Sequence, residues 1–453
     1  MANQHGNSKK MTLLSLAVPI LIEQILRSLM GTVNTFMLSR FSDDASAAVG
    51  VANQILNVVI IAATMLASGT AVVVNQNLGA GKNREAAHIT MNSISISAAV
   101  GAVLSLVTVL FPRQLVELMG LEEKLVGDAS VYLRIVGASC VIQFISTMIA
   151  THFRCRGKAQ IAMLVIVFNN VVNLSGSFLV IRDLLPVHGV SGIAAVRLAS
   201  ETLGLLLLIF LFTREKWDLK LRELIQIKGL YLRQITSLGF MSGMEGISFT
   251  LAQLVTTSFI TALPSAVLSA KVYTQTVNNY TYMAGLAVGQ AAQILAGHMI
   301  GAGETEKAYH FIRKSWLYVL GCNVIFSGLF FVFSPQIVGL FTSSDEILSI
   351  ARTLFLIDIF TCVGRSFNHS YNYGLRSAGY VFWPMIIANC SIWLVSVGFG
   401  YAMTVTLGFG IVGMWIAQTA DEWIRGLCAM VLWMKRKWTK ASVVEAGEVP
   451  VKV

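Results

Sequence analysis

The chain has 453 residues, of which 55% are hydrophobic and 12% are charged, and its formal net charge is +10. Soluble globular proteins carry about 25% charged residues, so this composition excludes an ordinary soluble fold. The basic residues are spread along the chain rather than clustered, which argues against a nucleic-acid-binding surface.

Apolar segments of about 20 residues or more recur along the whole chain, and each can cross a hydrocarbon core of ~30 Å as a helix. No segment alternates in polarity as the strands of a membrane barrel do. We therefore expect an all-α integral membrane protein, whose first span is an uncleaved helix rather than a signal peptide. Twelve transmembrane helices are predicted, at residues 12–39, 46–77, 88–111, 127–151, 161–181, 188–213, 235–262, 267–299, 312–334, 348–373, 381–404 and 410–434.

The connection between the sixth and seventh spans mixes charged and apolar residues at helical spacing over 218–225. That pattern is typical of a helix lying in the membrane interface. The predicted organisation is an N-terminal lobe at 1–213, an interfacial linker at 214–234, a C-terminal lobe at 235–438 and a cytoplasmic tail at 439–453.

Lysine and arginine predict the orientation of the chain in the membrane. The two termini and the even-numbered connections hold 22 of these residues, whereas the odd-numbered connections hold 5. Because positive residues stay on the cytoplasmic side, both termini are expected in the cytoplasm. The chain is then a multi-pass protein of the cell (inner) membrane.

An internal repeat joins the two halves of the chain. Residues 78–81, Leu-Gly-Ala-Gly, return at 300–303 as Ile-Gly-Ala-Gly, and Glu23 returns as Glu245, both with a shift of 222. Further matches at shifts of 220–222 are Arg156 with Arg376, residues 189–192 with 410–413, Glu201 with Glu422, and Trp217 with Trp438. Six spans are an even number, so both copies enter the membrane in the same orientation. The repeat predicts two six-helix lobes related by an axis along the membrane normal, with a cleft between them.

Catalytic and metal-binding patterns are absent from the sequence. The six cysteines show no paired or histidine-adjacent spacing. Residues 79–82 resemble part of a phosphate-binding loop, but Gln76 and Asn83 replace its glycine and its hydroxyl residue. We expect no enzyme activity, no metal and no cofactor. An integral membrane enzyme or receptor would need a catalytic constellation or a large extramembrane domain.

Ionisable residues within the spans are costly, at about 2.5–3.5 kcal/mol each near the bilayer centre, and need an explanation. Local pairs on one helix are predicted for Glu23 with Arg27, Arg197 with Glu201, and Glu422 with Arg425. Glu245 and Arg365 have no opposite charge within a turn on their own helices. We expect them to pair with each other across the seventh and tenth spans, in either a functional or an architectural role.

A polar stripe runs through several spans and suggests a water-accessible interior, although interhelical hydrogen bonds explain many of its members. The candidates for binding a substrate or a coupling cation are Glu23, Asn34, Asn170, Asn173, Glu245, Gln275, Asn279, Arg365, Asn368 and Tyr371.

The sequence resembles the multidrug and toxin extrusion (MATE) transporters of the MOP flippase superfamily along nearly its whole length. The resemblance lies in residues 16–24, the two Gly-Ala-Gly turns, residues 375–379 and the closing pattern from Glu422 to Trp438. It implies a V-shaped pair of six-helix lobes that exports organic, often cationic, small molecules by alternating access. In that family, inward flow of H⁺ or Na⁺ drives export, so an antiporter is expected, working as a monomer in the lipid bilayer.

The sequence departs from that family where ion coupling is expected. Asn34 and Ser177 stand where many relatives carry aspartate, and Arg365 aligns with an acidic residue of some branches. Asparagine cannot bind and release a proton, although its carbonyl oxygen can serve Na⁺. Glu23 and Glu245 remain the titratable candidates. The alternative function is that of a flippase for a lipid-linked oligosaccharide or a related lipid precursor, a class that often has fourteen spans and a strongly basic cavity.

Overall fold

The computed structural model describes residues 11–39, 42–184, 186–215, 221–224, 226, 228–261 and 263–443. Within these residues the chain forms α-helices and short 3-10 and π segments, and no strand occurs. The predicted all-α fold is confirmed.

The first half contains eight α-helices within the described residues. They are α1 (Leu13–Ser39), α2 (Asp43–Gly79), α3 (Asn83–Leu110), α4 (Pro112–Leu118), α5 (Glu123–Gly137), α6 (Cys140–Cys155), α7 (Ala159–Ile181) and α8 (Gly189–Arg214).

The second half repeats this order. Its α-helices are α9 (Gly229–Ile260), α10 (Ser265–Gly301), α11 (Thr305–Val332), α12 (Ser334–Gly339), α13 (Asp345–Phe367), α14 (Tyr373–Ser377), α15 (Phe382–Ser391) and α16 (Gly410–Met434). A π segment (Asn368–Asn372) joins α13 to α14, and the π segments Ile392–Phe399 and Ala402–Thr406 extend α15.

The helix lengths support the repeat that the sequence predicts. Helices α2 and α10 both have 37 residues, and α3 and α11 both have 28. A short helix with proline in its first turn follows the third long helix of each half, at α4 and α12. Hydropathy did not predict these two short helices. In each half, a single residue separates the short helix from the 28-residue helix before it.

Nine described helices are long and apolar enough to cross a membrane, and the number is ten if the bent pair α5–α6 forms one span. Helices α9 and α16 are not among them, and α16 carries Asp421, Glu422 and Arg425 in its middle. The chain is therefore a multi-pass helical membrane protein. The number twelve stays a prediction.

The fourth predicted span, 127–151, is not one straight helix. Helices α5 and α6 meet at a bend of 44°. The Ser139 hydroxyl donates to the Val136 carbonyl oxygen at 2.8 Å and also bonds to Glu201. A side chain that satisfies a freed backbone group lets a helix bend within the membrane.

The Gly-Ala-Gly turns end the two 37-residue helices. Gly81 and Gly303 have φ angles of +73° and +77°, which favour glycine because it lacks a Cβ atom. The amide of Lys82 donates to the Asn77 carbonyl oxygen at 2.9 Å, and the amide of Glu304 donates to that of Met299 at 2.8 Å. These turns close α2 and α10 as the sequence predicts, and α3 begins at Asn83.

Contacts between the two halves involve few helices. Helix α2 packs against α9 and α10, and α1 packs against α10. Of the predicted interfacial linker, residues 216–220, 225 and 227 lie outside the described residues. Residues Leu221–Leu224 form a 3-10 turn, and Ser95 of α3 donates to the Leu224 carbonyl oxygen at 2.6 Å.

Candidate functional site

Ionisable side chains meet in the core of the second half, where α9, α14 and α16 come together. The Oε2 atom of Glu245 accepts a hydrogen bond from Arg376 Nη2 at 2.6 Å, and its Oε1 atom accepts one from Arg425 Nη1 at 2.9 Å. Asn372 Nδ2 also donates to Glu245, at 3.2 Å. One carboxylate of α9 therefore connects two other helices.

Arg425 is the centre of these contacts. Its Nη2 atom lies 2.7 Å from Asp421 Oδ2 and 3.4 Å from Glu422 Oε1. Asp421 in turn accepts a hydrogen bond from Ser391 Oγ of α15 at 2.6 Å. The side chain of Arg425 is only 6% exposed, so these carboxylates supply its neutralising charge.

Glu422 completes the arrangement. It accepts hydrogen bonds from Arg365 Nε at 3.3 Å and from Asn368 Nδ2 at 3.0 Å. The eight residues joined in this way are called the C-half network below: Glu245, Arg365, Asn368, Asn372, Arg376, Asp421, Glu422 and Arg425.

The predicted pair of Glu245 with Arg365 is wrong. Glu245 faces Arg376 and Arg425, whereas Arg365 faces Glu422 and lies with its guanidinium carbon 5.6 Å from the centre of the Tyr282 ring. The predicted local pair of Glu422 with Arg425 is confirmed. Packing of α16 against α13 brings Arg365 to Glu422, and Glu245 is left to Arg376 and Arg425.

The π segment Asn368–Asn372 positions two amides on this network. Asn368 donates to Glu422, Asn372 donates to Glu245, and Asn372 Nδ2 lies 3.3 Å from Asn368 Oδ1. Such widened turns are frequent at functional sites. Tyr371, a predicted site residue in the same segment, instead packs in an apolar cluster with Trp433 and Trp438.

The first half contains a related but simpler contact. Glu23 of α1, whose side chain is 4% exposed, lies 3.1 Å from Arg27 and 3.0 Å from Arg154 of α6. The local pair with Arg27 is confirmed, and Arg154 adds a second helix. A shift of 222 relates both Glu23 to Glu245 and Arg154 to Arg376, so these two ion pairs are equivalent in the repeat.

Three other predicted residues of the first half lie outside that contact. Asn170 Nδ2 donates to the Leu26 carbonyl oxygen at 3.0 Å, which joins α7 to α1. Asn173 Nδ2 lies 3.5 Å from Ser200 Oγ of α8. Asn34 is buried, and its Oδ1 atom has no hydrogen-bond partner among the described residues. Asn34, Asn170 and Asn173 therefore do not converge on Glu23.

The two remaining predicted residues lie on α10, away from the C-half network. Gln275 Nε2 lies 3.5 Å from Gln253 Oε1 of α9. Asn279 is exposed. Neither residue contacts Glu245.

Arg154, Asn372, Arg376 and Asp421 are not among the candidates from the sequence, although Asn372 belongs to the predicted polar stripe. The sequence did hold a signal for two of them, because Arg154 and Arg376 follow the same shift of 222 as the two glutamates. Arg156 was matched to Arg376 instead, at a shift of 220. Arg156 lies 3.3 Å from Glu215 and serves a different contact.

The two halves also meet through a reciprocal pair of hydrogen bonds. Gln76 Nε2 of α2 donates to the Ser377 carbonyl oxygen at 2.8 Å, and His298 Nε2 of α10 donates to the Cys155 carbonyl oxygen at 2.8 Å. A shift of 222 relates Gln76 to His298 and Cys155 to Ser377. The Val443 amide donates to Gln76 Oε1 at 2.8 Å. We call this end of the bundle the closed face. It consists of the contacts of Gln76 and His298 and the two Gly-Ala-Gly turns at 79–81 and 301–303.

Glycine allows the backbones to touch at the closed face. A Cβ atom on Gly79 would overlap the backbone carbonyl of His298, and one on Gly301 would overlap that of Gln76. A Cβ atom on Gly69 would overlap the backbone near Gly239 in the same way. Small residues permit such close approach of membrane helices.

Three basic residues converge on Glu215, which follows the last residue of α8. Its carboxylate lies 2.5 Å from Lys158 Nζ, 3.1 Å from His152 Nε2 and 3.3 Å from Arg156 Nη1. Burial raises the pKa of Glu215, but hydrogen bonds from His152 and Lys158, together with the positive charge of the neighbouring basic residues, lower it to about 2. The ionised form is therefore stabilised by folding.

We expect Glu215→Gln to lower the melting temperature at neutral pH. Because the pKa is lowered in the folded state, this stabilisation is complete above the ordinary carboxyl pKa and is lost as pH falls from about 4.5 to about 2. The difference from wild type should shrink through that window in detergent melting curves. The exposed Glu122→Gln variant is the control, and a pH-independent difference would contradict the assignment.

A family model described as MatE matches residues 19–179 and 242–402. The matches start at 19 and 242, so the second copy begins 223 residues after the first, close to the repeat shift of 220–222. The chain is 34% identical to the uncharacterized transporter YisQ of Bacillus subtilis, over 95% of each chain. It is 25% identical to the probable multidrug resistance protein NorM of Thermotoga maritima, over 95% of this chain and 94% of that one.

A solved outward-facing structure of a multidrug resistance MATE family transporter of the MOP superfamily has the same fold. Its TM-score is 0.87 at 20% identity, over 95% of this chain and 96% of that chain. Two family matches in tandem, relatives matched along nearly their whole length and this shared fold lead to one conclusion. The chain belongs to the MATE family of multi-pass membrane transporters.

Proposed function

We propose that the chain exports organic small molecules, often cationic, by antiport with H⁺ or Na⁺ through alternating access of its two halves. Membership of the family and the multidrug resistance names of several relatives support the substrate class. The reciprocal contacts at the closed face support the mechanism.

The observation that carries alternating access is the two-fold repetition of the closed-face contacts. Gln76 and His298 each bond to a helix end of the opposite half, and Gly79 and Gly301 bring the backbones together. Contacts of this kind can separate together as two rigid bodies rock apart, because each is made between the halves. The opposite end of the cleft would then close.

We propose that the closed face is the cytoplasmic one. The connections and first helical turns at this end carry Lys82, Arg84, Lys158 and Lys307, and the positive residues of a membrane protein favour the cytoplasm. The bacterial origin of the relatives supports a location in the cell (inner) membrane.

The C-half network favours an exporter over a lipid-precursor flippase. A flippase for an anionic precursor would use a cavity with unneutralised basic residues. Arg365, Arg376 and Arg425 each contact a carboxylate within 3.3 Å, so the network offers no excess of positive charge.

The experiment that tests the proposal measures dye export from purified protein in proteoliposomes under separately imposed H⁺ and Na⁺ gradients. We expect one gradient to stimulate export of an organic cation, and collapse of that gradient by an ionophore to remove the stimulation. Empty liposomes provide the control. Failure of both gradients to stimulate export would sink the antiport proposal, and lipid-precursor translocation without dye export would favour the flippase.

A further inference from the structure

Asp358 is a carboxyl group without a partner in the middle of α13. It is 4% exposed, and no described residue bonds to its Oδ2 atom. It forms no ion pair with any residue that the structure describes. A carboxylate in this position would carry an unsolvated charge, whereas the protonated group is neutral. Glu23 and Glu245 differ, since each is held by two arginines.

The charges around Asp358 are few. The charged groups that act on it are Arg365, on its own helix, and Glu422, on α16. Cys362 is the ionisable group one turn along α13, and α10 presents Tyr282, which lies against Arg365. From α11 the facing polar groups are Asn323 and Ser327, which do not titrate.

Counted over the carboxyl and guanidinium groups around the C-half network, one positive charge is missing; the buried imidazole of His369 lies near Glu422 and Arg365 and is a further titratable group there. Four carboxyl groups face three guanidinium groups, and six of these seven are joined within the C-half network. They are Glu245, Asp358, Asp421 and Glu422 against Arg365, Arg376 and Arg425. One proton bound at Asp358 makes the set neutral.

Arg365 lies where it can respond to that proton. Seven residues make nearly two full helical turns, so Asp358 and Arg365 share one face of α13 at a separation of about 10 Å along its axis. Long side chains on a helix lean toward its N-terminus, which for Arg365 is the direction of Asp358. Glu422 keeps Arg425 and Asn368 as partners if Arg365 leaves.

We propose that Asp358 is a proton-binding site, and that loss of its proton draws Arg365 from Glu422 toward Asp358. The proton leaves the carboxyl oxygen for water, and no other bond changes. Exchange of the Arg365 partner would alter the contact between α13 and α16. The use of this step in transport rests on the proposed function, whereas the proton site itself does not.

Infrared difference spectroscopy of the purified protein tests the proton site directly. The protonated carboxyl band at neutral pH is expected in wild type and in Asp345→Asn, which changes an exposed aspartate of the same helix. We expect its Asp358 component to disappear in Asp358→Asn, which imitates the neutral group and should fold. Asp358→Glu should keep a shifted band. An identical band in wild type and Asp358→Asn would overturn the proposal.

Transport in proteoliposomes tests the coupling role. Asp358→Asn is expected to lose stimulation by a pH gradient while it retains downhill substrate exchange, and Asp345→Asn should retain both. Full pH-gradient stimulation in Asp358→Asn would overturn the coupling role. If wild type itself shows no gradient stimulation, the proposed function fails, and the infrared band still decides the proton site.

Discussion

Replacing Glu245 with glutamine is expected to lower the free energy of unfolding by about 3–5 kcal/mol, because buried arginines lose their shared carboxylate. Arg425 would keep Asp421 and Glu422. Within the described part of the chain, Arg376 would keep only the face of Tyr373, whose ring centre lies 5.3 Å from its guanidinium carbon. Thermal unfolding in detergent measures the loss. The exposed Glu117→Gln variant removes a surface ion pair instead, and a change of less than about 1 kcal/mol is expected there.

A double variant separates loss of the pair from loss of function. Glu245→Gln combined with Arg376→Gln removes the uncompensated charge, so it should be more stable than Glu245→Gln alone. A Glu245→Gln protein that melts like wild type but has lost gradient-driven export would contradict this prediction. That result would indicate that Glu245 acts in ion coupling, as the sequence suggests.

The repeat was predictable from the sequence because it preserves residue types at a nearly constant shift. The same shift of 222 that links Glu23 to Glu245 also links their partners, Arg154 and Arg376, and the two interlobe donors, Gln76 and His298. The partners were missed because a span boundary placed both arginines in connections. In the structure α6 continues to Cys155 and α14 to Ser377, so both arginines lie within helices.

Local bends and interhelical contacts were not predictable in this way. Hydropathy is averaged over a whole span, so the hydropathy profile detects neither the bend at Ser139 nor the π segment Asn368–Asn372. The pairing of Arg365 depends on the rotation of α13 against α16, and sequence alone does not contain that angle. The cost of Asp358 follows from its place in an apolar span, but its lack of a partner is a property of the packed helices.

Substitution of the closed-face glycines should open that face. An added methyl group at Gly79 or Gly301 overlaps a backbone carbonyl of the opposite half, which cannot move away as a flexible side chain can. Overpacking costs about 1–3 kcal/mol, so Gly79→Ala and Gly301→Ala should each shift the population toward the open face by about 5- to 150-fold. Export should fall, because the state in which the closed face is shut becomes rare in the transport cycle.

The thiol of Cys155 reports the opening, since it is 1% exposed at the contact with His298. With the other five cysteines replaced by alanine, its labelling by a polar maleimide should accelerate in both glycine variants. Gly50→Ala is the matched control, because a Cβ atom there meets no atom within 4 Å and the residue lies on the same helix as Gly79. Unchanged labelling in Gly79→Ala and Gly301→Ala would show that the halves do not part at this face. Faster labelling in Gly50→Ala as well would assign the change to general loosening of α2. If the labelling of Cys155 accelerates only in Gly79→Ala and Gly301→Ala, the reciprocal contacts of Gln76 and His298 must break together. Alternating access requires this movement.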